Sequence, residues 1–407
     1  MMHNNKLGLP EKINYCKRCV ISNQRPITSI ETKHRSNSKK ETTRFTDGIC
    51  DACRWTDIKN KEIDWKKREQ ELTDLCNKHR RSDGGYDVIV PFSGGKDSRF
   101  VAHYLKHKHN MNVLTVTWKP HIYTDIGLFN LFQAIESGFD NVLISPNGSL
   151  QKKLAREAFL NLGHPFQPFI FGQRVVGPKA AIESGAKLVF YGENVAEYGN
   201  RIEDNYSPQM KPELFTSFDF LNNNDKLDEY FIGGVSISDL IKKYDLKLSD
   251  FKPYNSPTLD EINSRSIEVH YMSYYKHWVP QENYYYAVEN TGFKPNPVRR
   301  DGSYGKYAGI DDMMEDLHYY MQVIKFGMGR CTWDAAQEIR TNKITRDEGV
   351  ALVNKFDQEY PKTYLKEILE YLDLNEDEFW DTINSHRSTH LWKKNIDGDY
   401  KLIKPVS

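Results

Sequence analysis

Asp87-Val-Ile-Val-Pro-Phe-Ser-Gly-Gly-Lys-Asp-Ser98 runs from a short apolar stretch straight into a glycine pair, a lysine and two hydroxyls. The run from Asp87 to Phe92 has the length and composition of a buried strand. A helical pattern follows, with Phe100, Val101, Tyr104 and Leu105 on one side. The hexapeptide Ser93 to Ser98 therefore occupies a strand–turn–helix junction. Adjacent glycines let a backbone approach an anion closely. A helix N-terminus offers unpaired N–H groups and the positive end of its dipole. Lys96 adds charge, and Ser93 and Ser98 add hydroxyls, so the whole reads as an anion nest. Val90 and Asp97 stand where a Walker A loop needs Gly and Ser/Thr, and G-x-G-x-x-G is absent, which disfavours a nicotinamide dinucleotide.

The alternation continues beyond the junction. Strands are expected over 113–118, 141–145 and 187–191, with helices over 126–137 and 150–160 between them. Such alternation implies an α/β fold, a doubly wound, Rossmann-like parallel sheet. After about residue 200 it fades. Residues 201–300 hold proline breaks and an aromatic concentration of Tyr271, Tyr274, Tyr275, Trp278, Tyr284, Tyr285 and Tyr286. That cluster reads as core or an oligomer contact, or as a stacking surface for sugar or base. The last hundred residues are helical in pattern, over 311–326, 332–340, 346–356 and 364–372. The expected organisation is a small module over 1–60, a linking helix over 61–85, a nucleotide domain over 86–200, an aromatic-rich insertion or substrate region over 201–300 and a helical region over 301–407.

Composition bounds the function. Of 407 residues, 39% are hydrophobic and 13% aromatic, enough for real cores. No run of about 18 apolar residues exists to span a membrane. The opening MMHNNKLGLPEKINY has no apolar stretch of the signal-peptide kind, so a cytoplasmic protein is expected. Lys+Arg and Asp+Glu both number 56, and this zero balance disfavours a dedicated nucleic-acid binder.

Four of the six cysteines fall in two pairs, Cys16-Lys-Arg-Cys19 and Cys50-Asp-Ala-Cys53. Two C-x-x-C units fit a closed, structural Cys₄ zinc ribbon or knuckle, which also lets a core-poor segment fold. His34, in a polar stretch over 34–43 that reads as loop, is a weaker ligand candidate. Cys76 and Cys331 stand alone and read as packing residues. Sulfur-transferring enzymes usually need cysteines near their nucleotide site, so nitrogen transfer gains by exclusion.

The Ser-Gly-Gly-x-Asp-Ser signature after a strand resembles the phosphate loop (PP-loop) of the N-type ATP pyrophosphatases, which include GMP synthetase, asparagine synthetase, tRNA-thiolating enzymes and tRNA lysidine synthetase. That resemblance implies ATP cleavage between the α and β phosphates, adenylylation of a carbonyl-type oxygen, and displacement of AMP by nitrogen or sulfur. Asp97 would then help hold Mg²⁺. The cysteine pairs, Val90-Pro-Phe-Ser-Gly-Gly-Lys-Asp-Ser98 and Tyr191-Gly-Glu-Asn194 also resemble the N-acetyl sugar amidotransferase family of the WbpG and PseA type. So do Tyr304-Gly-Lys-Tyr-Ala-Gly-Ile-Asp-Asp312, Ile324-Lys-Phe-Gly-Met-Gly-Arg330 and Asp334-Ala-Ala-Gln-Glu-Ile-Arg340. The resemblance covers nearly the whole chain and is weakest over 201–270.

The family implies conversion of an acetamido group on a nucleotide-activated sugar to an acetamidino group, in bacterial surface-glycan pathways such as lipopolysaccharide, pseudaminic acid or legionaminic acid biosynthesis. It also implies ATP, Mg²⁺ and Zn²⁺, a glutaminase subunit resembling that of the histidine pathway, and often a cyclase-like barrel companion. Carried onto this chain, Ser93, Gly94, Gly95 and Ser98 would bind pyrophosphate, Lys96 would stabilise its charge and Asp97 would position Mg²⁺. Because ligands bind outside the carboxyl ends of strands, Trp118 or its neighbours at the end of the second strand would meet the adenosine, and Gly192, Glu193 and Asn194, which end another strand, would face the same crevice. Glu193 reads equally as a capping or surface carboxylate. Lys325 and Arg330 would clamp phosphate or stabilise developing charge, or else serve as surface charge or salt-bridge partners; Lys306 is more readily surface charge. An alternative within the superfamily is a thiolase-like tRNA-modifying enzyme with an N-terminal zinc module.

Overall fold

The computed structural model describes residues 7–27 and 41–407. His34, and with it most of the polar stretch before Glu41, lies outside the described residues. A two-residue hairpin, Phe45–Thr46 with Ile49–Cys50, delivers the second cysteine pair to α1 (Asp51–Lys61). The helix expected through this region breaks at Asp64, whose side chain caps α2 (Trp65–His79) by accepting from the N–H groups of Lys66 and Lys67.

β1 (Val88–Pro91), α3 (Lys96–Lys108), β2 (Val113–Trp118), α4 (Asp125–Glu136), β3 (Asp140–Ile144), α5 (Gly148–Leu162), α6 (Gln167–Ser184), β4 (Leu188–Tyr191) and β5 (Glu268–Tyr271) build the central layer. The five strands form one parallel sheet in the order β3-β2-β1-β4-β5. The chain winds outward from β1 to β3, then crosses back to β4 on the other side of β1. Strand order reverses between β1 and β4, which is where open α/β sheets place their ligand crevice, at the carboxyl ends of the strands. One face buries Ile89, Leu114, Val116, Val189 and Val269 against Val176 and Ala180 of α6. The other buries Val88, Val90, Val113, Leu188 and Phe190 against α3 and α4.

β5 corrects the expected domain boundary at residue 200. The sheet is completed by residues 268–271, so much of the segment assigned to a separate insertion is the crossover between β4 and β5. Glu268-Val-His-Tyr271 is too short and too polar at alternate positions to announce a strand. α6 also escaped the sequence reading, because Pro168 in its first turn and Pro178 in its interior look like breaks.

α7 (Pro280–Thr291) packs along α3. The C-terminal region then adds α8 (Met314–Phe326), α9 (Arg330–Arg340), α10 (Arg346–Phe356), α11 (Leu365–Leu372), α12 (Glu376–Ser385) and a hairpin, Trp392–Lys394 with Tyr400–Leu402. Asp312 pins this region to the sheet. Its carboxylate accepts from the N–H groups of His121 (2.7 Å) and Ile122 (3.2 Å) just after β2, and from that of Met314 (2.9 Å) at the start of α8. The four paired cysteines share a further buried cluster with Trp333, Ala335 and Ala336 of α9. Among the described residues no helix is long and apolar enough to cross a membrane.

Candidate functional site

A cavity of about 1090 Å³ opens at the switch point between β1 and β4. Ser93, Gly95, Lys96, Asp97 and Ser98 line it. The loop owes its shape to Gly94, which sits at φ +84°, where a Cβ would come within 2.8 Å of the Leu131 backbone nitrogen. Gly95 is the N-cap of α3 and has no side chain to cap the first helical N–H groups, while its own N–H donates to Ser93 Oγ at 3.3 Å. Beneath the loop lies Arg99, fully buried. Its Nε donates to the Gly94 carbonyl at 2.9 Å and its Nη1 to Gln133 at 2.7 Å and to the Thr291 carbonyl. This guanidinium braces the loop against α4 and α7, a role the sequence reading missed.

Lys96 is buried in an ion pair with Asp97 and lies 5.8 Å from the Tyr307 ring centre. Asn283 of α7 donates to the other Asp97 oxygen at 3.2 Å. Across the switch point, Gly192, Glu193 and Asn194 follow β4 and line the same cavity. Glu193 is no surface carboxylate: Tyr198 OH donates to it at 2.6 Å, and burial together with nearby Asp97 raises its pKa. Trp118, at the carboxyl end of β2, also lines the cavity; it is buried, and its indole Nε1 has no hydrogen-bond partner among the described residues.

The remaining wall comes from the C-terminal region through Tyr307, Asp311, Glu315, Arg330, Asp334 and Glu338. Arg330 reaches the cavity as expected, held by Asp334 (Nε to Oδ2 3.1 Å) and Tyr319 (Nη1 to OH 3.0 Å), with Glu315 3.7 Å away. Lys325 does not. It is fully buried on α8, where its Nζ donates to the Leu162 carbonyl at 3.2 Å, and it is not among the cavity residues, so the phosphate-clamp role does not fit it. Lys306 is exposed and bonds the Pro297 carbonyl. Of the aromatic cluster only Tyr271 faces the cavity; Tyr275 and Trp278 are core, and Tyr284 stacks on Tyr307 at 4.4 Å.

The cavity is crowded with carboxylates. Burial raises the Asp311 pKa, with Asp312 adding to it, while a hydrogen bond with Ser93 opposes the shift. Burial and Asp311 push Glu315 up to about 8, and burial raises Glu338, which accepts from Tyr304 OH (2.8 Å) and Tyr307 OH (3.3 Å). These half-buried carboxylates repel one another when ionised, a repulsion that a bound cation would offset. Asp311, Glu315, Asp334 and Glu338 carried no role in the sequence reading. A signal existed for part of the set: 330, 334 and 338 are spaced by four and so share one helix face.

The four paired cysteines are brought together, all buried, with their sulfurs within 4.8 Å of one another. Cys16 and Cys53 are 3.9 Å apart at Sγ, and Cys19 and Cys50 are 3.6 Å apart. A single tetrahedral ion with metal–sulfur bonds of about 2.3 Å requires sulfur–sulfur edges of about 3.8 Å. Backbone N–H groups of Arg18 (3.4 Å) and Cys50 (3.3 Å) point at the Cys16 sulfur, as a thiolate ligand requires.

Comparison with curated proteins gives no match. Among solved structures, NMN synthetase from Francisella tularensis is 16% identical, over 50% of this chain and 94% of that one, with a TM-score of 0.27. NH3-dependent NAD synthetase from Campylobacter jejuni is also 16% identical, over 58% of this chain and 100% of that one, with a TM-score of 0.27. U34-tRNA thiolase NcsA from Methanococcus maripaludis, with its [4Fe-4S] cluster, is 11% identical, over 91% of this chain and 86% of that one, with a TM-score of 0.28. Residues 301–406 match the family described as LPS biosynthesis protein WbpG-like, C-terminal domain. This matched domain carries the Arg330, Asp334 and Glu338 face of α9 to the phosphate loop, so residues 301–406 are similar to the WbpG-like C-terminal domain.

Proposed function

We propose that the chain is the ATP-dependent, AMP-forming synthetase of a sugar amidotransferase, converting an acetamido group of a nucleotide-activated sugar to an acetamidino group for a bacterial surface glycan. The observation that carries this reading is one shared cavity: the loop Ser93 to Ser98 and the inner face of the WbpG-like domain both line it. An amide carbonyl is a poor electrophile and its oxygen a poor leaving group. Attack of that oxygen on the α-phosphorus of ATP forms an O-adenylyl imidate and expels pyrophosphate. Ammonia then adds at carbon, and the C–O bond breaks to release AMP with the former amide oxygen. Ser93, Gly94, Gly95 and Ser98 hold the departing pyrophosphate through backbone N–H groups and hydroxyls, and Lys96 offsets its charge. Asp97 would hold Mg²⁺, with Glu193 across the switch point and Asp311 on the C-terminal wall lining the same cavity. Trp118 meets the adenosine, and Arg330 stabilises the developing charge.

The cysteine cluster takes Zn²⁺ in a structural role. Ammonia comes from a glutaminase partner of the histidine-pathway kind, with a cyclase-like barrel as a further companion, and ATP and sugar nucleotides make the reaction cytoplasmic. The thiolase-like alternative loses ground because, among the described residues, no cysteine lines the cavity.

The test is nucleotide product analysis with ATP, Mg²⁺, ammonium and a panel of acetamido sugar nucleotides. AMP that appears with one sugar and rises with ammonium is the expected result. AMP with bulk tRNA and with no sugar would transfer the protein to the RNA-modifying branch, and no AMP with any substrate would end the proposal.

A further inference from the structure

The β2–α4–β3 unit forms one edge of the sheet. Among the described residues β3 pairs only with β2, so its outer N–H and C=O groups face away from the sheet without a partner strand. Natural edge strands are usually blunted by lysine, proline or a covering element. Asp140-Asn-Val-Leu-Ile144 contains no lysine or proline, and its one charge, Asp140, accepts from Tyr86 OH at 3.1 Å. Five large apolar residues stand exposed on this unit: Leu128 (40%), Phe129 (40%), Phe132 (50%), Val142 (44%) and Leu143 (46%).

The register places them. Thr117 pairs with Leu143 and Val116 with Val142, so Leu143 shares the sheet face of Thr115 and Thr117, and Val142 shares the face of Leu114 and Val116. Leu114 and Val116 pack with α6, whereas Leu131 and Ala134 of α4 pack with Val113 on the other face. Leu143 therefore lies on the same side as α4, whose outer surface carries Leu128, Phe129 and Phe132.

We propose that this edge is a homodimer interface, in which β3 pairs antiparallel with β3 of a second copy and α4 packs against its own symmetry mate. A two-fold axis perpendicular to the sheet keeps both α4 helices on one side, so the apolar helix faces meet above the strand pair and Val142 is covered below it. The result is a continuous ten-stranded sheet, closed by symmetry with no bare strand at the seam. Self-docking puts like surfaces opposite each other, so an isologous interface must be neutral or self-compensating, and these five side chains carry no charge. Their exposed area is on the order of 400 Å² per chain, comparable to the largest apolar patch on a typical monomer, roughly 300–600 Å², which is often functional. Doubled, and with the paired strand backbones added, it reaches roughly the 1,000 Å² at which specific interfaces begin.

Sedimentation velocity on the full chain tests this independently of the activity. The expected result is a dimer at micromolar concentration. Phe132→Glu and Leu143→Lys each put a charge into the seam and should weaken dimerisation by tenfold or more. Because both side chains are exposed, their urea unfolding transitions should match the parent chain's once dimer dissociation is allowed for. A parent chain that sediments as a monomer throughout the micromolar range would overturn the proposal, including one that instead captures a glutaminase through these residues. So would two variants that dimerise as tightly as the parent.

Discussion

Lys59 and Glu197 form a buried ion pair, Nζ to Oε2 2.7 Å, between the cysteine-bearing module and the cavity wall. Trp55 Nε1 donates to the other carboxylate oxygen at 2.9 Å, and Arg340 Nη2 donates to the Glu197 carbonyl at 3.1 Å. One residue on, Tyr198 holds Glu193 in the cavity. Cys53, Trp55 and Lys59 all belong to α1, so a single helix links the thiol cluster to the wall that faces the phosphate loop.

Removing one member of a buried pair strands the other charge. Lys59→Met should therefore cost about 3–5 kcal/mol of stability, and Lys59→Met with Glu197→Gln should recover part of it. Urea unfolding of the three chains measures both. A cost below about 1 kcal/mol for the single variant would mean that the pair is solvated and the link is weak.

The phosphate loop couples stability to chemistry. Gly94→Ala places a Cβ where the backbone has φ +84° and where Leu131 N would be 2.8 Å away. The left-handed conformation alone costs a non-glycine residue about 1–2 kcal/mol, and the close approach to backbone adds to it. Asp97→Asn keeps the size and the contact with Asn283 but removes the charge. It should lower sugar-dependent AMP formation by about 10²–10³-fold and, by leaving the buried Lys96 charge without its partner, should also lower the unfolding midpoint. If Asp97→Asn instead retains activity, the assignment of Mg²⁺ to this carboxylate fails.

Some of this was legible from the sequence because it is local. β2 reads as a strand because Val113-Leu-Thr-Val-Thr-Trp118 is almost entirely β-branched and aromatic. The cysteine pairs read as a ligand set because each pair is one short turn. What could not be read depends on distant partners. Lys325 lies in a motif with Arg330 and differs from it only in where its Nζ goes, to a carbonyl 163 residues earlier in the chain. Arg99 looks like an ordinary helix residue until Thr291 and Asn130 close around it. Glu268-Val-His-Tyr271 becomes a strand only because β4 is already there to pair with it.

The cysteine geometry makes a stoichiometric prediction. Sulfur–sulfur distances of 3.6 and 3.9 Å fit one tetrahedral ion, so purified protein should contain one zinc per chain by elemental analysis. Cys50→Ser should abolish that content. Because the cluster packs on Trp333, Ala335 and Ala336 of α9, metal loss should also lower the thermal midpoint and loosen the helix that carries Arg330, Asp334 and Glu338. A metal-free preparation of undiminished stability, or the visible absorbance of an iron–sulfur cluster, would contradict the assignment.

The buried carboxylates predict an unusual pH dependence. Glu315 is pushed up to about 8 by burial and by Asp311. Burial likewise raises Asp316 and Asp357 to about 6. Each folded pKa lies above the unfolded one, so the folded state holds protons that the unfolded chain has already released. Stability must then fall as pH rises, between about 4 and 6 for the two aspartates and up to about pH 8 for Glu315. Glu315→Gln keeps the shape and removes the titration. Its unfolding free energy should be flatter than the parent's between pH 6 and 8, and the variant should be the more stable chain above pH 8. Parallel pH profiles for the two proteins would show that Glu315 is ionised in the folded state throughout, and that the cavity holds its charge without the strain assigned to it.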